Sequence, residues 1–500
     1  MSQIPTLGSR LALLLGADRI VTDTPTIESR SHDYWLLDLQ RRLHGVATNQ
    51  PLLVVQPHNE DDICKLLSFA FAEGLHIVPF GAGSGVCGGA RPTMDDIVLD
   101  LSLMNRILEI NETALTVTVE PGMLGRDFEA ALNARGYSMG HFPQSINLSS
   151  VGGWVATRAS GQYSTKYGSI ENMLVSLNVV LADGTPVRTK NAPRSSTGPS
   201  LNELMLGSEG TLAVITEITY RIHPLPQKES GLAFAFADFH SGLQAVRKIM
   251  RAGWKPALVR LYDASETARH FGSAHKHRCV LLLLSEGPEA LVDVELAECA
   301  RIAELDGGKP LGQSLVIEWK SDRFKIPDVK ELAVSKGAVF DTIEISANWD
   351  RIDALYDAVI RSLKTVPGIL AASAHSSHSY QQGTCLYFTF AAKKPHWLPR
   401  VVAGKLSFGK YSGFTSPADV AFVEQLYNEC WRRVMQATVD HHGSISHHHG
   451  VGKVRAGWLA TEIGASGVEV LNSVKRALDP RGVLNRNTLI PAGEGPAPQD

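Results

Sequence analysis

Apolar residues recur at helical spacing through "RLALLLG" (10–16) and "YWLLDLQRRLHG" (34–45), which predicts a helical segment over residues 1–44. From "LLVVQP" (52–57) the period changes. Short β-rich runs follow, among them "HIVPF" (76–80), "DIVLDLS" (96–102) and "ALTVTVEPG" (114–122), separated by glycine-rich turns. "DDICKLLSFAFAEG" (61–74) supplies a helix ahead of "HIVPF". The strand pattern continues through "NMLVSLNVVLADG" (172–184) and "ELMLGSEGTLAVITEITYRIHPLP" (203–226), where Pro224 and Pro226 mark a boundary. One unit is therefore expected over 45–226.

Beyond residue 227, helices such as "FHSGLQAVRKIMRAG" (239–253) alternate with strands such as "RCVLLLLSEG" (278–287) and "TCLYFTFAA" (384–392). That alternation predicts an α+β domain over 227–440, with an antiparallel sheet packed against helices. Residues 392–420 read as a loop or insertion and "ADVAFVEQLYNECWRRVMQAT" (418–438) as a helix. Residues 441–500 form a C-terminal segment whose tail, "EGPAPQD", is expected to be disordered.

Length and composition narrow the classes. At 500 residues, 44% hydrophobic, 20% charged and net charge −3, the chain needs two or three cores and carries no bulk charge for nucleic acid. Its six cysteines (Cys64, Cys87, Cys279, Cys299, Cys385, Cys430) contain no C-x-x-C, which fits a reducing compartment and argues against iron–sulfur or Cys-type zinc sites. "LALLLGA" (11–17) is too short for a membrane span and reads as a buried helix face. A cytoplasmic location is expected.

Three stretches carry candidate chemistry. "PFGAGSGVCGGARP" (79–92) places Gly81, Gly83, Gly85, Gly88 and Gly89 directly after a strand, where backbone N–H groups can turn into one concavity and hold a diphosphate. A plain connecting loop is the alternative. "FPQSINLSSVGGWVATRASGQYSTKYGSIENMLVSLNVVLADG" (142–184) offers a surface of small residues that lets a flat ring approach the main chain. "LGSEGTLAVITE" (206–217) is again rich in Gly and Ser and runs into a strand.

Together, in this order and spacing, these stretches resemble the FAD-binding domain of the vanillyl-alcohol oxidase/p-cresol methylhydroxylase (PCMH) superfamily over about residues 45–226. The resemblance implies a PCMH-type FAD-binding domain of two subdomains, an α+β cap domain with an antiparallel sheet, and a C-terminal segment returning to the flavin. It implies that Pro79, Gly81, Ala82, Gly83, Ser84 and Gly85 hold the diphosphate. Gln144, Ser145, Ser149, Ser150, Gly153, Thr157, Arg158, Ala159 and Ser160 would lie along the flavin, and Glu209, Gly210, Val214 and Ile215 would meet the adenine side. Members with covalent FAD use a histidine in or near the loop; this loop has none, so FAD is expected to bind non-covalently. Cys87, the one nucleophile there, reads as a small buried thiol.

The second half resembles the alkylglycerone-phosphate (alkyldihydroxyacetonephosphate) synthase-like group. "PALVRLYD" (256–263), "SHSYQQGTCLYFTF" (377–390), "SHHHGVGKVRAGWL" (446–459) and "LDPRGVLNRNTLIP" (478–491) carry the likeness. It implies Tyr387 as acid/base near the flavin, His447, His448 and His449 on the substrate side, and Arg260 bracing the site. A tyrosine or histidine can take a substrate proton while electrons pass to flavin N5. Two departures stand out. Lys330 occupies the place of the synthases' phosphate-binding Arg, without the bidentate fork, and Gln144 replaces an acidic residue.

Two functions stay open. One is hydride transfer from a small anionic alcohol or hydroxy acid to flavin N5. The other is a synthase that exchanges the acyl group of acyl-dihydroxyacetone phosphate for a fatty alcohol, with the flavin carrying the carbon. No metal is expected, because consecutive histidine side chains should diverge and "SSHSYQQGTCLYF" lacks the ligands of metal-dependent hydroxy-acid dehydrogenases. The expected partners are a small-molecule substrate, an electron acceptor (oxygen, quinone or a protein) and a second copy of the chain; peripheral membrane contact stays open.

Overall fold

Asn59 starts the helix Glu60–Glu73 by accepting the Asp62 N–H at 3.0 Å, and Gly74 ends it at φ 70°. Ile63, Leu66, Leu67 and Ala70 fall at i, i+3, i+4 and i+7 and are fully buried. This stripe sits between two sheets in the computed structural model, which describes residues 3–43, 50–325, 338–393, 400–402, 405–407 and 417–491.

On one side of the helix lies a four-stranded sheet in the order Ile20–Val21, Leu53–Val55, Asp96–Asp100, His76–Phe80, parallel except at the first pair. On the other lies a five-stranded antiparallel sheet, Ile107–Asn111, Thr116–Val119, Ala213–Arg221, Leu174–Leu181 and Pro186–Arg188. Val180, Ala182 and Val214 of the second sheet share a core with Val55, Ile97 and Leu99 of the first.

The second half is built on a seven-stranded antiparallel sheet: Lys309–Gly312, Lys228–Phe236, Cys279–Gly287, Leu258–Tyr262, Ile369–Ser379, Gly383–Lys393 and Ala338–Asn348. Helices Phe239–Arg251, Glu289–Leu305, Ile352–Lys364 and Pro417–Asp440 cover one face and enclose the largest core with Ile343, Ile345, Leu386, Phe388 and Phe390. In Gly383–Lys393 burial alternates from Leu386 onward, so Tyr387 and Thr389 face the other way. The α+β architecture expected from the periodicity is the observed one. The C-terminal stretch returns to the first sheet, where Ile77 N–H donates to Val483 and Asn485 N–H to Ile77.

Two local expectations need amendment. Part of the stretch expected as loop, 392–420, is a strand pair, Arg400–Val402 with Lys405–Ser407. The N-terminal helices Gln3–Leu15, Thr24–Ser29 and Leu36–Leu43 are joined by Ile20–Val21, which extends the four-stranded sheet. The tail beyond residue 491 lies outside the described residues. All six cysteines are free, and among the described residues no helix is long and apolar enough to cross a membrane.

Candidate active site

Strand register builds one wall of the site. Tyr262 pairs with His375, His375 with Tyr387 and Tyr387 with Glu344, so four polar side chains cross four strands in one row. Arg260, two residues before Tyr262, donates from Nε to the Tyr262 hydroxyl at 2.8 Å and lies 2.8 Å from His375 Nε2 through Nη2. The His375 ring stacks on Tyr387 at 4.9 Å, and Thr342 Oγ1 meets the Tyr387 hydroxyl at 2.9 Å. Burial, then the Arg260 charge, pushes His375 down to about 3. Burial raises Tyr387, so its phenol keeps its proton at neutral pH.

The triple-histidine loop closes over this row by wrapping around a carboxylate. Glu344 Oε1 accepts the backbone N–H groups of His447, His448 and His449 at 3.1, 3.0 and 2.8 Å, and the Ser446 hydroxyl at 3.1 Å. Arg455 binds both Glu344 oxygens and also the Gly450 carbonyl, and both side chains are fully buried. Burial disfavours the Glu344 charge, but Arg455 and His449 hold the carboxyl well below its ordinary range. Behind the histidines, Val451 and Gly452 donate to Glu209 at 2.7 and 2.9 Å.

The three side chains do not simply diverge. The loop is neither helix nor strand, so strand alternation does not apply, and His447 Nδ1 and His448 Nδ1 meet at 2.9 Å. Cys385 Sγ lies near, one ring nitrogen of each of these histidines and the sulfur being within 4.8 Å of one another. An N–H···N hydrogen bond between the rings accounts for their close approach. His447 Nε2 lies 2.7 Å from the Tyr380 hydroxyl, and His449 stands edge-on to Tyr387 at 5.5 Å.

Several members of this wall were not singled out from the sequence. His378, at φ 54°, contacts Ser164 at 2.7 Å and Ser160 at 3.2 Å through Nδ1, and its ring lies 5.0 and 4.9 Å from those of His447 and His448. Burial holds His447 down to about 4, and His378 and His448 well below the ordinary imidazole value, so all three are neutral at pH 7. Glu344, an acid between Ile343 and Ile345 in an alternating strand, reads from the sequence as an ordinary solvent-facing position. Arg455 and Thr342 carried no signal either.

The glycine-rich loop fits a diphosphate. None of the backbone N–H groups from Gly83 to Gly89 donates to another described residue. A Cβ on Gly81 would lie 2.3 Å from Ser150 Oγ, so the loop lies hard against the start of helix Val151–Thr157. Ser150 caps Gly153, Ser149 accepts from Trp154 at 2.8 Å, Thr157 donates to the Gly153 carbonyl and Ser160 bonds Ser169. Arg158, at φ 54°, faces Glu171 at 3.8 Å and Ala159 is buried beside it. Pro79 meets Gly210, and Ala82 and Ser84 are half-buried with Ser145, whereas Gln144 and Gly85 are exposed. Val214 and Ile215 are buried in apolar cores, and Glu209 turns to the histidine loop. Cys87 is buried, its thiol raised by burial, and its carbonyl accepts Lys453 N–H at 2.8 Å. Lys330 lies outside the described residues.

Residues 51–190 match the family described as FAD binding domain, and residues 225–489 that described as FAD linked oxidases, C-terminal domain. The chain is 32% identical over 497 residues to an uncharacterized FAD-linked oxidoreductase of Escherichia coli, YgcU, covering 96% of this chain and 97% of the relative. It is 30% identical over 490 residues to the alkyldihydroxyacetonephosphate synthase of Dictyostelium discoideum, covering 91% and 76%. A solved alkyldihydroxyacetonephosphate synthase structure superposes with TM-score 0.76 at 25% identity, over 96% of this chain and 84% of that one.

Proposed function

The chain belongs to the family of FAD-linked oxidases and is an FAD-dependent enzyme, and on that footing we propose that it oxidises a small anionic alcohol or hydroxy acid. Bound FAD supplies the two-electron acceptor for the hydride that leaves the substrate carbon. The loop Pro79–Gly85, with Ser145 to Ser160, is proposed to hold it non-covalently, since the loop carries no histidine and Cys87 is a buried, protonated thiol.

The chain's own residues manage the proton. As the carbinol carbon gives up hydride, the hydroxyl oxygen must lose H⁺, leaving a carbonyl group. Tyr387 keeps its proton and so donates a hydrogen bond to that oxygen, with Thr342 fixing the direction of its hydroxyl. The acceptor of the substrate proton is then an imidazole of the wall over Tyr387, and the observation that carries the reading is that His448 and His449 stand against the Tyr387 ring at 6.0 and 5.5 Å. Arg260 and Lys330 are proposed to orient the substrate's anionic group. The setting is a cytoplasmic homodimer, which gel filtration with light scattering checks.

The test is anaerobic mixing with a panel of 2-hydroxy acids and primary alcohols while the flavin's visible absorbance is followed. Bleaching by one class supports the reading. Formation of an ether from acyl-dihydroxyacetone phosphate and a long-chain alcohol, with no bleaching by the panel, overturns it in favour of the transferase. That second reading has support of its own in the likeness to alkyldihydroxyacetonephosphate synthases. Lys330 and Gln144, where the synthases carry an Arg and an acid, weigh against it.

A further inference from the structure

The three histidines are not equivalent, because their ring nitrogens have different partners. His447 has none to spare: Nδ1 meets His448 Nδ1 at 2.9 Å and Nε2 meets the Tyr380 hydroxyl at 2.7 Å. His448 commits Nδ1 to His447, and among the described residues no carboxylate forms an ion pair with its ring. His449 differs from both. Its Nδ1 lies 3.0 Å from Glu344 Oε2, and none of the hydrogen bonds among the described residues uses its Nε2. The N–H direction at Nδ1 is off the line to the oxygen, so proximity rather than alignment defines this contact. A bare Nδ1 lone pair 3.0 Å from a carboxylate oxygen would be repelled, so the contact favours a hydrogen on Nδ1 and points to Nε2 as the ring nitrogen open to a substrate.

Resting on the oxidoreductase reading above, we propose that Glu344 is a positioning residue that holds His449 with its proton on Nδ1, and that His449 Nε2 is the atom that accepts the substrate's hydroxyl proton. The imidazolium formed by that transfer then stands against the Glu344 carboxylate, as in a carboxylate-backed catalytic histidine. Glu344 does this without becoming protonated, because Arg455 and three backbone N–H groups hold it as an anion. The groups facing His449 are few. From the strand Ala338–Asn348 these are Asp341 and Glu344, from Gly383–Lys393 Tyr387, and from its own loop His447, His448 and Arg455. Asp341 is tied up by Tyr427 and the Trp431 indole, which leaves Glu344 as the charge partner. Glu344 also pairs across the sheet with Tyr387, so the hydrogen-bond donor and the anchor of the base stand in adjacent positions on one face.

Selective ¹⁵N-histidine labelling of the FAD-bound protein tests this, with the His449 resonances identified by their loss in His449→Gln. The expected spectrum shows hydrogen on Nδ1 and a bare Nε2. In Glu344→Gln that single tautomer should give way to a mixture, and Glu344→Asp, which keeps the charge, should restore it. Hydrogen on Nε2 in the unaltered protein, or an unchanged His449 spectrum in Glu344→Gln, would overturn the proposal. If Glu344→Gln does not retain FAD, the unaltered protein and Glu344→Asp decide between the tautomers. The readout needs no substrate, so a panel that fails to bleach the flavin would sink the oxidoreductase reading and leave the tautomer result standing.

Discussion

Replacing Arg455 with Met tests whether one buried ion pair holds the histidine loop. The guanidinium is fully buried and donates to both Glu344 oxygens, to Ser446 Oγ at 2.6 Å and to the Gly450 carbonyl at 2.9 Å. Met fills much of the same space but leaves the Glu344 carboxylate buried without its cation, a change that costs about 3–5 kcal/mol in comparable pairs. If the loop opens locally, that cost appears as faster amide exchange at His447, His448 and His449, whose N–H groups bond Glu344. At about 1.4 kcal/mol per factor of ten, the acceleration is about two to four orders of magnitude. Hydrogen–deuterium exchange read by mass spectrometry on peptides covering residues 444–455 measures it directly. The double variant Glu344→Gln/Arg455→Met removes both charges, and should recover at least about 1 kcal/mol of the loss, or roughly fivefold in exchange. Exchange within a few-fold of the unaltered protein in Arg455→Met, or a double variant no better protected than the single one, would refute the reasoning.

Tyr387→Phe should lower turnover by about 10²-fold or more while FAD stays bound, because the stacked ring remains and only the hydroxyl on Thr342 is lost; unchanged turnover removes Tyr387 from the mechanism. Gly452→Ala places a Cβ 2.1 Å from the Cys87 carbonyl at φ 55°, so a loss of at least about 1 kcal/mol and a lower flavin-to-protein ratio after gel filtration are expected. A normal ratio with an unchanged melting midpoint would contradict that close contact. Asp33 is buried beneath the glycine-rich loop, and burial raises its carboxyl to about 7, with the Asp38 charge adding to the rise. The fold therefore favours the protonated form, so stability is lost as pH rises from about 4 to about 7, by at most about 4 kcal/mol. Asp33→Asn, which keeps the acceptor for Trp35 N–H, should melt at the unaltered temperature at low pH and higher at pH 8; equal melting at both would refute the shift.

The fold was legible because helical and strand periods alternate cleanly along the chain. Helix Glu60–Glu73 announces itself by its stripe and caps, and the strands Cys279–Gly287 and Gly383–Lys393 by apolar runs. The glycine-rich loop was legible for a physical reason too: positive φ at Gly83 and Gly88 is written directly in residue type. The site was legible only in part. His447, His448 and His449 stand out as a run, but the carboxylate that gathers their N–H groups sits more than a hundred residues earlier in the chain. Nothing local in "DTIEISAN" (341–348) says that Glu344 faces a loop instead of solvent; only the register opposite Tyr387 does. His378 was hidden in the same way. Its φ of 54° falls at a register shift between Ser377 and Ser379 in its own strand pair, and its serine partners come from the other half of the molecule.

Glu209 brings these strands of argument together. The resemblance gives it to the adenine side of the cofactor, whereas its carboxylate accepts Val451 N–H at 2.7 Å through Oε1 and Gly452 N–H at 2.9 Å through Oε2. Gly89 lies against the same carboxylate and Asn485 donates to the Glu209 carbonyl, so one residue ties the glycine-rich loop, the histidine loop and the C-terminal return. Glu209→Gln exposes which tie matters. An amide has one oxygen, so one of the two N–H groups must face an NH₂, and a buried donor without an acceptor costs about 1–3 kcal/mol. The expected result is about fivefold or faster exchange at residues 450–452 with FAD stoichiometry unchanged. Loss of FAD with unaltered exchange in that loop would instead return Glu209 to the cofactor and break the proposed link between the flavin-binding half and the proton-handling wall.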